Sequence, residues 1–227
     1  MRLSVIVPVY NEIGTIKEIL RRVKEVPIDK EILVVDDFST DGTRDYLKSI
    51  EQEEGIRVFY HSRNLGKGSA IRTAIANVTG DIVVIQDADL ECDPRDFPRL
   101  ISPIVEGRAS VVYGSRYSNP ENKIPLNRFK IGVLVLTAMA NLLYRARITD
   151  EATCYKAFRA DLLKSIPLRC YRFEFDPEVT AKVRKRGYRI EEVPISFTYR
   201  TVKEGKKIGW RDGIEAVITL LKYRFFD

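Results

Sequence analysis

Asp81-Ile82-Val83-Val84-Ile85-Gln86-Asp87-Ala88-Asp89 is an apolar, β-branched run that ends in two carboxylates two positions apart. A short apolar run of this kind reads as a buried strand over 81–86. Side chains alternate along a strand, so Asp87 and Asp89 are expected to point the same way at its carboxyl end. In an open α/β sheet the ligand crevice lies outside the carboxyl ends of the strands. Two aligned acids there suit a divalent cation carrying a diphosphate, because Mg2+ takes one or two carboxylates and fills its shell from phosphate oxygens.

Working outward, strand and helix signals alternate. Strands are expected at 3–7, 31–36, 57–60 and 110–113, with helices at 15–26, 43–51, 68–77 and 94–105 between them. Strands separated by helices imply βαβ units and a mostly parallel sheet. Asp93-Pro94 and Asp176-Pro177 read as helix caps followed by proline. A polar loop at 119–125 precedes a long apolar helix at 127–145. A helix at 178–186, short strands at 189–193 and 195–199, and an amphipathic helix at 209–226 complete the chain. No repeat, low-complexity tract or linker interrupts it, so one domain over 1–227 is expected.

The chain has 227 residues, 44% hydrophobic and 31% charged, which fits a folded α/β protein with a full core. A net charge of +6 favours anionic partners. Cys92, Cys154 and Cys170 have neither disulfide-framework nor zinc spacing, and the single histidine, His61, cannot build a histidine-rich metal site. A cytoplasmic setting follows. The longest apolar stretch, 131–144, is too short to span a bilayer. No Gly-x-Gly-x-x-Gly follows the first strand, which argues against a dinucleotide oxidoreductase, and no nucleic-acid reader motif is present.

Val7-Pro8-Val9-Tyr10-Asn11-Glu12 closes the first strand. Its proline and aromatic can shape and stack on a base, and Glu12 can accept a hydrogen bond from a base or ribose. The same residues also suit a strand exit with Asn11 capping a helix. Val35-Asp36-Asp37-Phe38-Ser39-Thr40-Asp41-Gly42-Thr43 closes the second strand. Capping by Thr40 or Asp41 explains its latter half and leaves the Asp36-Asp37 doublet unexplained.

These two motifs, with Asn64-Leu65-Gly66-Lys67-Gly68 and Asp87-Ala88-Asp89, resemble family 2 glycosyltransferases, which adopt the nucleotide-sugar-binding GT-A fold. Gly114-Ser115-Arg116-Tyr117, Thr153-Cys154-Tyr155-Lys156 and Glu192-Val193-Pro194-Ile195, with Arg200 and Gly205-Lys206-Lys207, are similar to the dolichyl- or polyprenyl-phosphate mannose or glucose synthases. The fold implied is an α/β GT-A (Rossmann-like) domain, with a mostly parallel sheet flanked by helices and a C-terminal amphipathic helix. The resemblance implies that Pro8, Tyr10, Glu12, Val35 and Asp37 hold the nucleoside. Asp87, Ala88 and Asp89 would lie along the diphosphate, and Asp89 would bind Mg2+ or Mn2+ directly, with Glu91 and Asp87 beside it. Arg116, Arg200 and Lys206 would meet donor or acceptor phosphates, Arg128 the acceptor phosphate, and Asp150 would act as a base or position the acceptor. Read on their own, the basic residues also fit a solvated surface, and Asp150 a turn.

The activity implied is metal-dependent transfer of a hexose from GDP-mannose or UDP-glucose to a polyprenyl or dolichyl phosphate, with inversion. An acceptor phosphate is already anionic near neutrality and needs no base; a hydroxyl acceptor needs one, with Asp150 the candidate. A family 2 enzyme acting on a saccharide hydroxyl and a non-catalytic nucleotide-sugar-binding subunit are the alternatives. The helices at 130–145 and 209–226 combine apolar and basic residues, which suits either a bilayer interface or packing over the sheet. Many relatives continue into transmembrane helices, whereas this sequence ends at Asp227, so peripheral contact with the membrane or an anchoring subunit is expected.

Overall fold

A computed structural model describes residues 1–200, 207 and 209–226. The elements that position the site are β1 (Leu3–Val9), α1 (Ile13–Glu25), β2 (Lys30–Asp36), α2 (Thr43–Ile50), β3 (Ile56–Tyr60), α3 (Lys67–Ile75) and β4 (Ile82–Ile85). The second half supplies α4 (Phe97–Val105), β5 (Val111–Ser115), α5 (Arg128–Tyr144), β6 (Lys156–Arg159), α6 (Ala160–Ser165), α7 (Phe175–Lys185), β7 (Glu191–Pro194) and α8 (Trp210–Phe225).

The seven strands run in the order β3-β2-β1-β4-β6-β5-β7. β1 pairs in parallel with both β2 and β4, so the carboxyl ends of all three reach the same edge. The chain leaves β1 in one direction for β2 and β3 and returns on the other side as β4. That reversal opens a crevice at the strand ends. Alternation along β1 sends Val5 and Val7 into a core with Ile16, Leu20, Leu47 and Phe97, and Ile6 into a second core with Ile71, Leu136, Val179 and Leu220. Helices therefore cover both faces, as a sheet buried on both sides requires.

Three expectations need correction. β4 ends at Ile85, so Asp87 and Asp89 lie beyond the strand and alternation does not orient them. The expected strand at 195–199 reduces to one antiparallel bridge, Phe197 with Cys92, made through the Thr198 amide on the Glu91 carbonyl; the Arg200 amide goes to the Glu91 carboxylate and the ladder stops there. The cap of α7 is Glu174, whose carboxylate accepts the Tyr171 and Arg172 amides; Asp176 lies inside the first turn. One strand went unanticipated. β6 inserts antiparallel between β4 and β5 and brings Lys156, fully buried, beneath the crevice.

α5 and α8 pack on each other and on α7 through narrow stripes: Leu136, Thr137, Ala140 and Tyr144 on one, Ala216, Thr219, Leu220 and Tyr223 on the other. Their outer faces leave Ile131, Leu134, Val135, Leu142, Ile214, Ile218 and Phe225 exposed. No described helix is long and apolar enough to cross a membrane.

Candidate active site

A cavity of about 700 Å3 opens at the carboxyl ends of β1, β2 and β4. Pro8, Tyr10, Glu12, Asp37, Asp87, Ala88, Asp89, Glu91, Arg116, Arg128 and Arg200 all line it. Val35 is buried in β2 as the register partner of Pro8, behind that wall. Asp150 is buried behind Arg116. Lys206 lies outside the described residues.

At the β1–β2 end, Asp37 is buried and holds a loop. Its carboxylate accepts the amides of Leu65 at 2.8 Å and Gly66 at 2.7 Å, and it bonds His61 Nδ1 at 2.7 Å. Gly66 stands at φ +94°, and a Cβ there would lie 2.4 Å from the Tyr171 carbonyl oxygen, so only glycine fits. Glu12 accepts from Arg200 at 2.9 and 3.1 Å and from Lys207 at 2.8 Å. Burial works to raise the Glu12 carboxyl, but Arg200, Lys207 and Thr15 together hold it below the usual range. Lys207 also donates to the carbonyls of Tyr10 and Asn11. In this conformation Glu12 is engaged by cations.

At the tip of β4, both oxygens of Asp87 pair with Lys67, at 2.6 and 2.9 Å. Burial opposes the Lys67 charge, but Asp87 and Asp176 hold its pKa well above the ordinary value. Lys67, from the Gly-Lys-Gly of the third motif, was not assigned from sequence; its only signal was a cation between glycines facing the acids. Asp89 differs. Burial, then the charges of Asp87 and Glu91, push its carboxyl up to about 7, against the Glu91 amide and Arg200. A carboxylate destabilised by its acidic neighbours fits a cation site. Among the described residues no three His, Cys, Asp or Glu side chains converge as a metal cluster. Asp87 is held by Lys67 and Glu91 Oε1 accepts the Arg200 amide; Asp89, with Glu91 beside it, could hold a cation that takes its remaining ligands from diphosphate oxygens.

Toward α5, Arg116 follows β5. Its guanidinium meets Asp150 in a two-point contact at 2.6 and 2.7 Å, its amide reaches the same carboxylate at 3.0 Å, and it donates to the Ala152 carbonyl at 3.0 Å. Burial opposes the Arg116 charge, and Asp150 outweighs it. Both oxygens of Asp150 are thereby committed to Arg116. Gly114 lets this strand approach, since a Cβ there would lie 2.5 Å from Ile195 Cγ2. Asn127 caps α5 by accepting the Phe129 and Lys130 amides, which leaves Arg128 exposed over the Phe129 ring at the cavity mouth. Beyond Arg128 the wall turns apolar through Val133 and Leu136.

Residues 4–166 match the family model described as Glycosyl transferase family 2. An undecaprenyl-phosphate mannosyltransferase of Micrococcus luteus is 32% identical over 98% of this chain and 94% of that protein. A dolichol-phosphate mannosyltransferase of Pyrococcus furiosus is 28% identical, over 92% of this chain and 60% of that protein. A UDP-N-acetylglucosamine–dolichyl-phosphate N-acetylglucosaminyltransferase of Methanococcus voltae is 32% identical over 86% of this chain and 84% of that protein. The fold matches glucosyl-3-phosphoglycerate synthase of Mycobacterium tuberculosis, with a TM-score of 0.77 and 22% identity over 98% of this chain and 80% of that one. The same enzyme in complex with Mn2+, UDP and phosphoglyceric acid gives a TM-score of 0.76 at 20% identity, over 100% of this chain and 79% of that one.

Proposed function

Since this chain belongs to glycosyltransferase family 2, we propose that it moves a hexose from a nucleotide sugar, GDP-mannose or UDP-glucose, to a polyprenyl phosphate, with metal dependence and inversion. The observation that carries this reading is the order of chemistry along one cavity. Nucleoside-sized space beside Asp37 and Tyr10 leads to the acids at 87–91, then to Arg116 and Arg128, then to an apolar wall opening between α5 and α8. A nucleotide, a diphosphate, an acceptor phosphate and a prenyl tail follow the same order. The names of the relatives from Micrococcus, Pyrococcus and Methanococcus agree with such an acceptor.

Asp89 and Glu91 would hold Mg2+ or Mn2+, which when bound supplies positive charge to the departing diphosphate. Arg116, pinned by Asp150, presents a fixed guanidinium where phosphate charge accumulates, and bidentate phosphate contacts suit Arg. Arg200 links Glu12 to Glu91 through its guanidinium and amide, so donor entry would exchange its Glu12 contact for phosphate. An acceptor phosphate is the nucleophile without help from a base, and single displacement inverts the anomeric carbon. The exposed apolar faces of α5 and α8, with Arg128, Lys130, Lys222 and Arg224 nearby, would rest at a membrane interface and keep the cavity mouth on the lipid.

The test is transfer from GDP-mannose and UDP-glucose to a short-chain prenyl phosphate by the purified chain, with and without Mn2+. Activity with one donor, lost on chelation and in Asp89→Ala and strongly reduced in Arg200→Ala, is expected. Wild-type rates in a folded Asp89→Ala variant, or transfer to saccharide hydroxyls alone, would refute the proposal.

A further inference from the structure

Under the cavity floor lies a carboxyl that the roles above leave unused. Glu151 is fully buried and lines the cavity; neither of its side-chain oxygens makes a well-formed hydrogen bond, and the Thr180 hydroxyl of α7 is the donor nearest to it. An unsatisfied buried acceptor costs about 1–3 kcal/mol and calls for an explanation. Its neighbours in the chain locate it. Asp150 and Ala152 both hold Arg116, the Glu151 amide donates to Thr137 of α5 at 3.1 Å, and Cys154 Sγ accepts the Asp87 amide at 3.4 Å. Glu151 therefore sits between the guanidinium assigned to phosphate and the acidic tip assigned to diphosphate, which is where a transferred sugar must lie.

The surroundings are built to keep it there. Buried Lys156 donates to the Glu151 carbonyl at 2.9 Å, to the Thr153 carbonyl at 2.6 Å and to Asp176 Oδ1 at 2.5 Å. Asp176, also in the cavity wall, spends one oxygen on Lys156; among the described residues its other oxygen accepts nothing. Two carboxyls thus share one floor beside one lysine, with Asp176 Oδ2 open and Glu151 met only by the Thr180 hydroxyl. Lys67, Lys156, Tyr113 and Thr180 face them from α3, β6, β5 and α7, and the Asp150 charge lies close to Glu151.

We infer that Glu151 and Asp176 are the specificity-determining residues that receive the hydroxyls of the transferred hexose. The assignment rests on the glycosyl-transfer reading above and adds the contact that selects the sugar. Carboxyl oxygens accept from hydroxyl donors, and the two oxygens of one carboxylate can take two adjacent hydroxyls. A donor lacking the matched hydroxyl leaves a buried acceptor bare, and sites of that kind reject such analogues strongly.

The experiment measures binding of the full chain with Mn2+ to GDP, UDP, GDP-mannose, UDP-glucose and single-deoxy versions of the accepted donor. At least one deoxy donor should bind the wild type roughly tenfold to a hundredfold more weakly. In Glu151→Gln and Asp176→Asn the intact donor should weaken about tenfold, the deoxy penalty should fall to about twofold or less, and nucleoside diphosphate binding should stay within about twofold. Should either variant fail to fold, the wild-type deoxy series still decides. Equal binding of every deoxy donor overturns the inference while nucleotide binding leaves the family reading standing. So does a variant that loses donor and nucleoside diphosphate alike, or one that lowers kcat with donor affinity unchanged, which marks a scaffold or a base. Failure of both GDP and UDP to bind overturns the parent reading and this one together.

Discussion

Asp150→Ala separates a residue that holds Arg116 from one that takes a proton. Asp150 is fully buried and receives the Arg116 amide and two guanidinium nitrogens, with Arg116 itself 13% exposed. Removing one partner of such a pair strands the other charge and costs about 3–5 kcal/mol. For a chain of this length each kcal/mol moves Tm by roughly 2–4 °C, so a fall of about 6–20 °C is expected. Transfer should drop with it, because the guanidinium is no longer aimed. The double variant Arg116→Met/Asp150→Leu should recover most of the lost stability, since well-packed apolar replacements of a buried pair are often neutral, and should remain inactive. Thermal denaturation followed by circular dichroism, alongside a transfer assay, reads both. A single variant that melts within about 2 °C of the wild type yet loses kcat would show Asp150 to be a base. A double variant that regains transfer would show that Arg116 meets no phosphate. Either result refutes the reasoning.

Four further outcomes follow from the same geometry. Asp89 carries a pKa pushed up to about 7, above its unfolded value, so folding takes up a proton there and stability falls as pH rises toward 7. Asp89→Asn should therefore melt at or above the wild-type temperature at pH 8 while losing metal-dependent transfer, and a marked fall in Tm would contradict this. A cation must also displace that proton, so Mn2+ affinity measured calorimetrically should weaken by on the order of tenfold between pH 7.5 and 5.5; a flat profile would remove Asp89 from the site. Gly66→Ala places a Cβ against the Tyr171 carbonyl at positive φ and should destabilise by about 2 kcal/mol or more, read by urea denaturation. Leu142→Glu with Ile218→Glu, both on exposed faces, should leave Tm unchanged and reduce cosedimentation with vesicles of phosphatidylcholine and phosphatidylglycerol; unaltered cosedimentation would remove these faces from any lipid contact.

Much of the fold was legible because its first half repeats one local pattern. Apolar runs such as Val5–Val7 in β1 and Ile82–Ile85 in β4 alternate with amphipathic stretches, and each element forms for reasons written within its own residues. β6 was not legible. Lys156-Ala157-Phe158-Arg159 has charge at both ends and too few residues to show a period, and it is a strand because β4 and β5 leave a slot for it. The reverse happened at 195–199, where apolar alternation predicted a strand but pairing stops after one bridge, the Arg200 amide going to the Glu91 carboxylate.

Sequence alone determined which residues could reach the site, since chain order and strand ends deliver the motifs at 7–12, 35–43 and 87–89 to one edge of a parallel sheet. Tertiary structure decided what each charge does there. Asp87 is taken by Lys67, Asp150 by Arg116 and Glu12 by Arg200, across 20, 34 and 188 residues of chain, while Glu151 is left with no ion-pair contact of its own. Local pattern cannot choose among so many like acids and bases. Ion pairing depends on distance and burial, and both are set only when the helices close over the sheet.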